Sequence, residues 1–175
     1  KLLDLSPREQ IDALRAGELD VALIGQEGAT ASKEFHSAKL RSFGVCVAVG
    51  ASDPLASKKS ISLKELKKRD FIGFDEDQVP GRNRWITALC KTAGVKPRFV
   101  VIVDGISNVL SQVVSEEAVT LLPDYFLQSS HPGVVFVPVS DAAARWDFIV
   151  LWQKGAIPAA VRALVTAVKE VAAKP

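Results

Sequence analysis

The stretch LDLSPREQIDALRAGELDVALI, residues 3–24, packs an apolar run, a helix start, a helix stop and a second apolar run into 22 residues. Leu2, Leu3 and Leu5 read as a strand that ends at Ser6. In Ser6-Pro7-Arg8-Glu9 the serine hydroxyl can accept the amide of the residue three positions on, the glutamate can return the bond, and proline fills the first helical position. The helix that follows puts Ile11 and Leu14 on one face, and Gly17 ends it. Leu19 to Ile24 then reads as a buried strand. Strand, helix and strand in this order predict α/β layers around a largely parallel sheet.

The alternation continues outward from this stretch. The polar run from Gln26 to Ser37 reads as a loop, and FGVCVAV (Phe43–Val49) as a strand. The turn Ser52-Asp53-Pro54 and a second capping box, Ser62 to Glu65, follow. Phe71 to Phe74 is strand-like, and Pro80-Gly81 closes a loop before a helix from Arg82 to Ala93. That helix carries Trp85, Ile86, Leu89 and Cys90 as its apolar stripe, with Gly94 as its stop. Phe99–Val103 is a strand, Ile106–Ser115 a helix, Val119–Leu122 a strand, and a short helix follows Pro123. Val134–Val139 and Phe148–Trp152 are two further strands, and a helix runs from Pro158 to Ala173. With no internal repeat and no linker rich in Gly, Ser or Pro, the chain predicts a two-lobed body with crossing strands.

Composition narrows the function. The 175 residues are 48% hydrophobic and 24% charged, which fits a folded globular protein. Lys plus Arg at 22 against Asp plus Glu at 20 leaves a net charge of +2, too balanced for a nucleic-acid or anionic-membrane footprint. No run reaches the roughly 18 apolar residues of a membrane span, so no membrane partner is expected. Two cysteines, neither in a C-x-x-C pair, fit a reducing, cytoplasmic setting. With Lys1 first and no methionine, the sequence is expected to be a piece of a longer product.

Catalytic templates find little to hold. His36 and His131 have no second ligand at helical spacing and read as solvated loop histidines. There is no G-x-S-x-G, Walker loop or G-x-G-x-x-G; the nearest glycine pair, Gly25 and Gly28, is flanked by Gln26 and Glu27. Cys46 and Cys90 read as small core hydrophobes. No cofactor, no metal and no enzyme activity are expected. Asp75-Glu76-Asp77 reads as a capping or solvated turn, and the basic cluster from Lys58 to Arg69 as a solvated face. What remains is a set of helix N-termini with unpaired N–H groups, at Ser6-Pro7, Pro80-Gly81-Arg82-Asn83 and Asp104-Gly105-Ile106-Ser107, lying where α/β sheets bind anions. Taken singly, Ser6 and Asp104 can equally be caps of their own helices.

Five segments in order resemble the effector-binding domain of LysR-type transcriptional regulators. They are LDLSPREQIDALRAGELDVALI (Leu3–Ile24), VAVGASDPLA (Val47–Ala56), ISLKEL (Ile61–Leu66), FIGF (Phe71–Phe74) and VTLLPDYF (Val119–Phe126). The resemblance implies a fold like the type 2 periplasmic binding proteins: two Rossmann-like lobes joined by two crossing strands, with a small-molecule cleft between them. Lobe I is then residues 1–42 and 146–175, and lobe II residues 43–145. Effector-lining positions carry over to Ser6, Pro7, Gly25, Gln26, Pro80, Gly81, Arg82, Asp104 and Ser107, with Arg82 as the charge partner of a small anionic, aromatic effector; its alternative is a surface arginine. The resemblance also implies a homodimer or homotetramer, and promoter DNA held only through a helix-turn-helix outside this chain. The rival of the same fold is a transport-type solute-binding protein. Two departures stand out. The family's first strand, which runs between Leu2–Leu5 and Leu19–Ile24, and its first helix are absent. Ser115-Glu116-Glu117-Ala118 replaces the family's glycines, so that turn cannot rely on left-handed glycine.

Overall fold

The structure, a computed structural model, describes residues 1–26 and 34–173. Most of the loop expected after Gln26, with Glu27 and Gly28, lies outside the described residues. The chain divides into two compact units: unit 1 is Lys1–Ser42, Asp77–Pro80 and Asp147–Pro175, and unit 2 is Phe43–Glu76 and Gly81–Trp146.

Unit 1 is a three-layer sandwich. Helix α1 (Pro7–Ala16) starts at a complete capping box. The Ser6 hydroxyl accepts the Glu9 amide, the Glu9 carboxylate accepts the Ser6 amide, and left-handed Gly17 (φ 73°) closes the helix. Strand β1 (Val21–Gly25) leads to β2 (His36–Phe43), and β8 (Trp146–Trp152) lies between them in the order β1-β8-β2. Strand periodicity sorts the faces. Ala22 and Ile24 of β1 and Ile149 and Leu151 of β8 pack with Ile11 and Leu14 of α1. Val21, Val150 and Trp152 face the other way, onto Val161 and Val165 of α4 (Ala159–Ala172).

Unit 2 is built on β3 (Val45–Gly50), β4 (Asp70–Phe74), β5 (Arg98–Val103), β6 (Thr120–Pro123) and β7 (Val134–Pro138), with α2 (Arg82–Thr92) and α3 (Ile106–Ser115) against them. Strand β3 is the centre, with Val45 to Val49 fully buried between β6 and β7. A parallel bridge between Phe71 and Val119 joins β4 to the start of β6.

The expectation of a largely parallel sheet is corrected. Among the described ladders, β1–β8, β3–β6 and β3–β7 are antiparallel; β4–β5 is parallel, as is the bridge between Phe71 and Val119. A parallel pair needs a crossover of about a dozen residues or more, usually helical. Helix α2 supplies one between β4 and β5, and α3 lies in the longer passage that brings Val119 beside Phe71. Two further corrections concern unit 1. Leu2–Leu5 forms no strand: no described strand pairs with it, and Leu2 is 95% exposed. Instead the Gln10 carboxamide donates to the Leu5 carbonyl at 3.0 Å and accepts the Leu23 amide at 3.0 Å, bridging the two segments along the outer edge of β1. A groove of about 410 Å³ lined by Leu2, Leu3, Leu5, Leu23 and Leu164 follows that edge. Second, His36 opens strand β2 rather than sitting in a loop, and its ring lies 5.6 Å from that of Trp152.

The glycine-free turn after α3 keeps a left-handed residue all the same. Glu117 takes φ 50°, its carbonyl held at 3.4 Å by Arg69, whose guanidinium is also paired with the Asp53 carboxylate. A side chain in this region costs about 1–2 kcal/mol, which a glycine recovers in part against its greater unfolded-state freedom. Glu117→Gly is therefore expected to raise stability by about 0.5–1 kcal/mol in urea unfolding; a loss of stability contradicts the strain.

Candidate functional site

Three helix starts carry the sequence-predicted site, and the structure fills them differently. At α1 the protein satisfies its own donors. Pro7 has no N–H, the Arg8 amide donates to the Gln78 carbonyl (3.1 Å), the Glu9 amide to the Ser6 hydroxyl (3.3 Å) and the Gln10 amide to the Ser6 carbonyl (2.9 Å). The Ser6 backbone amide, which donates to the Glu9 carboxylate at 2.7 Å, and after it the Ser6 hydroxyl hold the Glu9 carboxyl below the usual carboxylate range. Ser6 therefore acts as the cap of α1. Gln10, one turn into α1, reaches Leu23, so this helix start lies along β1 toward Gly25 and Gln26. The Gln26 side chain accepts the Asp147 amide at 2.9 Å.

At α2 a tight approach sets the geometry. The Asn83 carboxamide donates to the Phe74 carbonyl (2.7 Å) and accepts the Phe74 amide (2.8 Å), tying the first turn of α2 to the end of β4. Gly73 leaves room for this: a Cβ there would sit 2.3 Å from Ile102 and 3.1 Å from the Asn83 oxygen. The left-handed N-cap Gly81 (φ 86°) brings no side chain, and Glu76 takes over the capping. Its carboxylate accepts the Gly81 amide and, at 2.9 Å, the Asn83 amide. The acidic turn is thus a cap, and an anion of the protein's own occupies the place that Pro80-Gly81-Arg82-Asn83 offered to a ligand.

Arg82 is buried, at 9% exposure, which overturns the surface-arginine alternative. Its guanidinium carbon lies 5.3 Å from the Phe74 ring centre, 5.4 Å from Trp85 and 5.6 Å from Trp146. A cation out of water needs compensation, and aromatic faces supply about 2 kcal/mol or more where water is excluded.

At α3 the start is open. The N-cap is Gly105 (φ 66°), and no side chain caps it. Asp104 is not the cap that the sequence allowed; its carboxylate instead accepts the Asn108 amide group at 3.0 Å. Ser107 is exposed in the first turn, where its carbonyl accepts the Ser111 hydroxyl. The Asp75 amide donates to the Val103 carbonyl at 2.9 Å, fixing the ends of β4 and β5 side by side. Gly81, Arg82, Asp104 and Ser107 thus follow the carboxyl ends of one parallel strand pair in unit 2. Ser6, Pro7, Gly25, Gln26 and Pro80 belong to unit 1.

The remaining chemistry is quiet. Burial pushes the Cys46 thiol up to about 12, with the Asp124 charge adding to it, and burial alone pushes Cys90 up to about 11, so neither is a thiolate near neutrality. No group of three metal-ligating side chains is found among the described residues, and no described helix is long and apolar enough to cross a membrane. The sequence missed the aromatic faces around Arg82, because Phe74, Trp85 and Trp146 come from three separate elements. Glu76 was visible only as an acidic turn.

Two mixed α/β units, with helix starts following strand ends, make this an α/β protein of the kind whose ligand sites lie at the carboxyl ends of strands. Residues 1–173 match the LysR substrate binding domain family, and the chain belongs to it. The chain is 29% identical over 147 residues to the HTH-type transcriptional regulator TfdS of Cupriavidus pinatubonensis, covering 82% of this chain and 48% of that protein. It is 25% identical over 170 residues to the Hca operon transcriptional activator HcaR of Escherichia coli, covering 97% and 57%. The chain thus spans about half the length of these curated relatives. Among solved structures, full-length CbnR complexed with its target DNA superposes with a TM-score of 0.83 at 18% identity, covering 99% of this chain and 60% of that one. The BenM effector binding domain with its effector benzoate gives 0.77 at 19%, covering 98% and 77%. The fold is that of the LysR effector-binding domains, the type 2 periplasmic-binding-protein kind.

The capping role of Glu76 is measurable. Glu76→Ala is expected to cost about 1 kcal/mol in urea unfolding, as loss of a helix cap does; unchanged stability contradicts it.

Proposed function

We propose that this chain is the ligand-sensing part of a LysR-type transcription regulator, that its effector is a small anionic, aromatic molecule, and that it binds rather than transforms that molecule. The observation that carries the effector chemistry is Arg82. A buried cation among aromatic faces, at the carboxyl end of β4, suits a carboxylate joined to a ring. The uncapped start of α3 after β5 adds free backbone donors for the same negative charge. Because Glu76 fills the α2 start and Ser6 and Glu9 fill α1, these two are the favoured anchors. Ser6, Pro7, Gly25, Gln26, Pro80, Gly81, Asp104 and Ser107 complete the proposed lining, with lobe I taken as residues 1–42 and 146–175 and lobe II as 43–145. TfdS, HcaR and CbnR are named as regulators or shown on target DNA, which supports promoter binding through a part of the protein outside this chain, in the cytoplasm.

Self-association is part of the proposal. Strand β5 is the outer strand of its parallel pair, and Val100, Ile102 and Ile106 stand 38%, 51% and 36% exposed on unit 2. An apolar strand edge of this kind is a template for pairing, and a second copy is the partner proposed.

Two experiments test these statements. In a thermal-shift screen of benzoate, other aromatic acids and aliphatic acids, an acid at 100 times its dissociation constant is expected to add about 2.7 kcal/mol. Arg82→Met, measured against its own baseline, is expected to abolish that gain. If no acid stabilises the protein, the anionic effector is wrong. In light scattering, Ile102→Glu is expected to convert dimer to monomer with the melting profile retained; a mutant that stays dimeric removes β5 from the interface.

A further inference from the structure

The residue that faces the Arg82 guanidinium from β8 is also the last residue of unit 2. Trp146 is 4% exposed, and the chain passes into unit 1 immediately after it. The first passage is at Phe43, the first residue of unit 2, and two more flank Asp77–Pro80. The Phe43 and Trp146 rings lie 6.0 Å apart, and Tyr125 touches both, at 5.4 Å and 6.0 Å. Asp124, beside Tyr125, fastens the next residue: its carboxylate accepts the Gly44 amide at 2.9 Å, and its own amide donates to the Gly44 carbonyl at 3.0 Å. A Cβ on Gly44 would meet that carboxylate at 2.6 Å. The first and last passages of unit 2 therefore end in one aromatic cluster, and the first residue of α2 is packed against it.

We propose that Trp146 is a positioning residue that couples Arg82 to the first and last passages. Held among Phe74, Trp85 and Trp146, the guanidinium cannot shift toward an incoming anion without moving the Trp146 ring. The ring cannot move without loosening Phe43 and Tyr125, because closely packed interiors transmit displacement. As a signalling route this rests on Arg82 meeting the effector, as proposed above; the mechanical link does not.

The link is tested without any effector, so its failure is distinguishable from failure of the effector assignment. Hydrogen exchange is followed by mass spectrometry in the unmutated protein, Arg82→Met, Arg82→Lys and Leu110→Ala. Leu110→Ala is a core control in α3, and exchange is compared at equal global stability set by urea. Arg82→Met is expected to speed exchange of residues 42–45 and 145–148 at least tenfold over the control, with 46–48 and 120–122 unchanged. Arg82→Lys, which keeps a cation, is expected to fall between. If Arg82→Met does not fold, Arg82→Lys against Leu110→Ala decides, with at least threefold expected at both segments. Exchange that rises only in the first turn of α2, or equally in the control, overturns the coupling.

Discussion

A guanidinium out of water is the constraint around which unit 2 is arranged. Three rings from different parts of the chain gather around the buried Arg82 guanidinium. Phe74 comes from the end of β4, Trp85 from the next turn of α2 and Trp146 from the start of β8. Their meeting fixes where α2 begins. Asn83 reinforces it by pairing with the Phe74 backbone, and Gly73 permits the close approach. One cation thereby ties together a strand end, a helix start and the residue at which the chain finally leaves the unit.

The three helix starts show how a single fold rule divides into different roles. Every one has a partial positive charge and orphan amides. Ser6 and Glu9 neutralise the first, and Glu76 the second, each with a carboxylate supplied by the protein. At α3 a glycine cap supplies none, and Asp104 turns its carboxylate to Asn108 instead. Internal carboxylates occupy the first two places, and no side chain caps the third.

Local signals were the ones that could be read from sequence. Ser6-Pro7-Arg8-Glu9 and Ser62 to Glu65 predict capping boxes, and both boxes are present, because the bonds lie within four residues. The α3 helix runs over Ile106–Ser115 as its apolar period indicates. Strands depend on distant partners and were less legible. Strand β2, HSAKLRSF, is too polar to announce itself, and becomes a strand because β8 lies beside it. Leu2–Leu5 is apolar enough for a strand but has no described strand to pair with. Of the site, the helix starts were visible and their occupants were not. That Glu76 caps α2, and that Trp146 reaches across 64 positions to Arg82, are products of the folded chain. Glu117 in a left-handed turn shows the same priority: tertiary contacts from Arg69 hold a backbone that the residue itself disfavours.

We propose that an anion is received by Arg82 and the open start of α3. The most direct measurement is a nitrogen-15 NMR titration with the acid that stabilises the protein most, following the Arg82 side-chain Nε–H and the backbone amides of Ile106, Ser107 and Asn108. The account predicts that all four signals shift together and saturate with one dissociation constant. Saturable binding that leaves these signals at rest would contradict it.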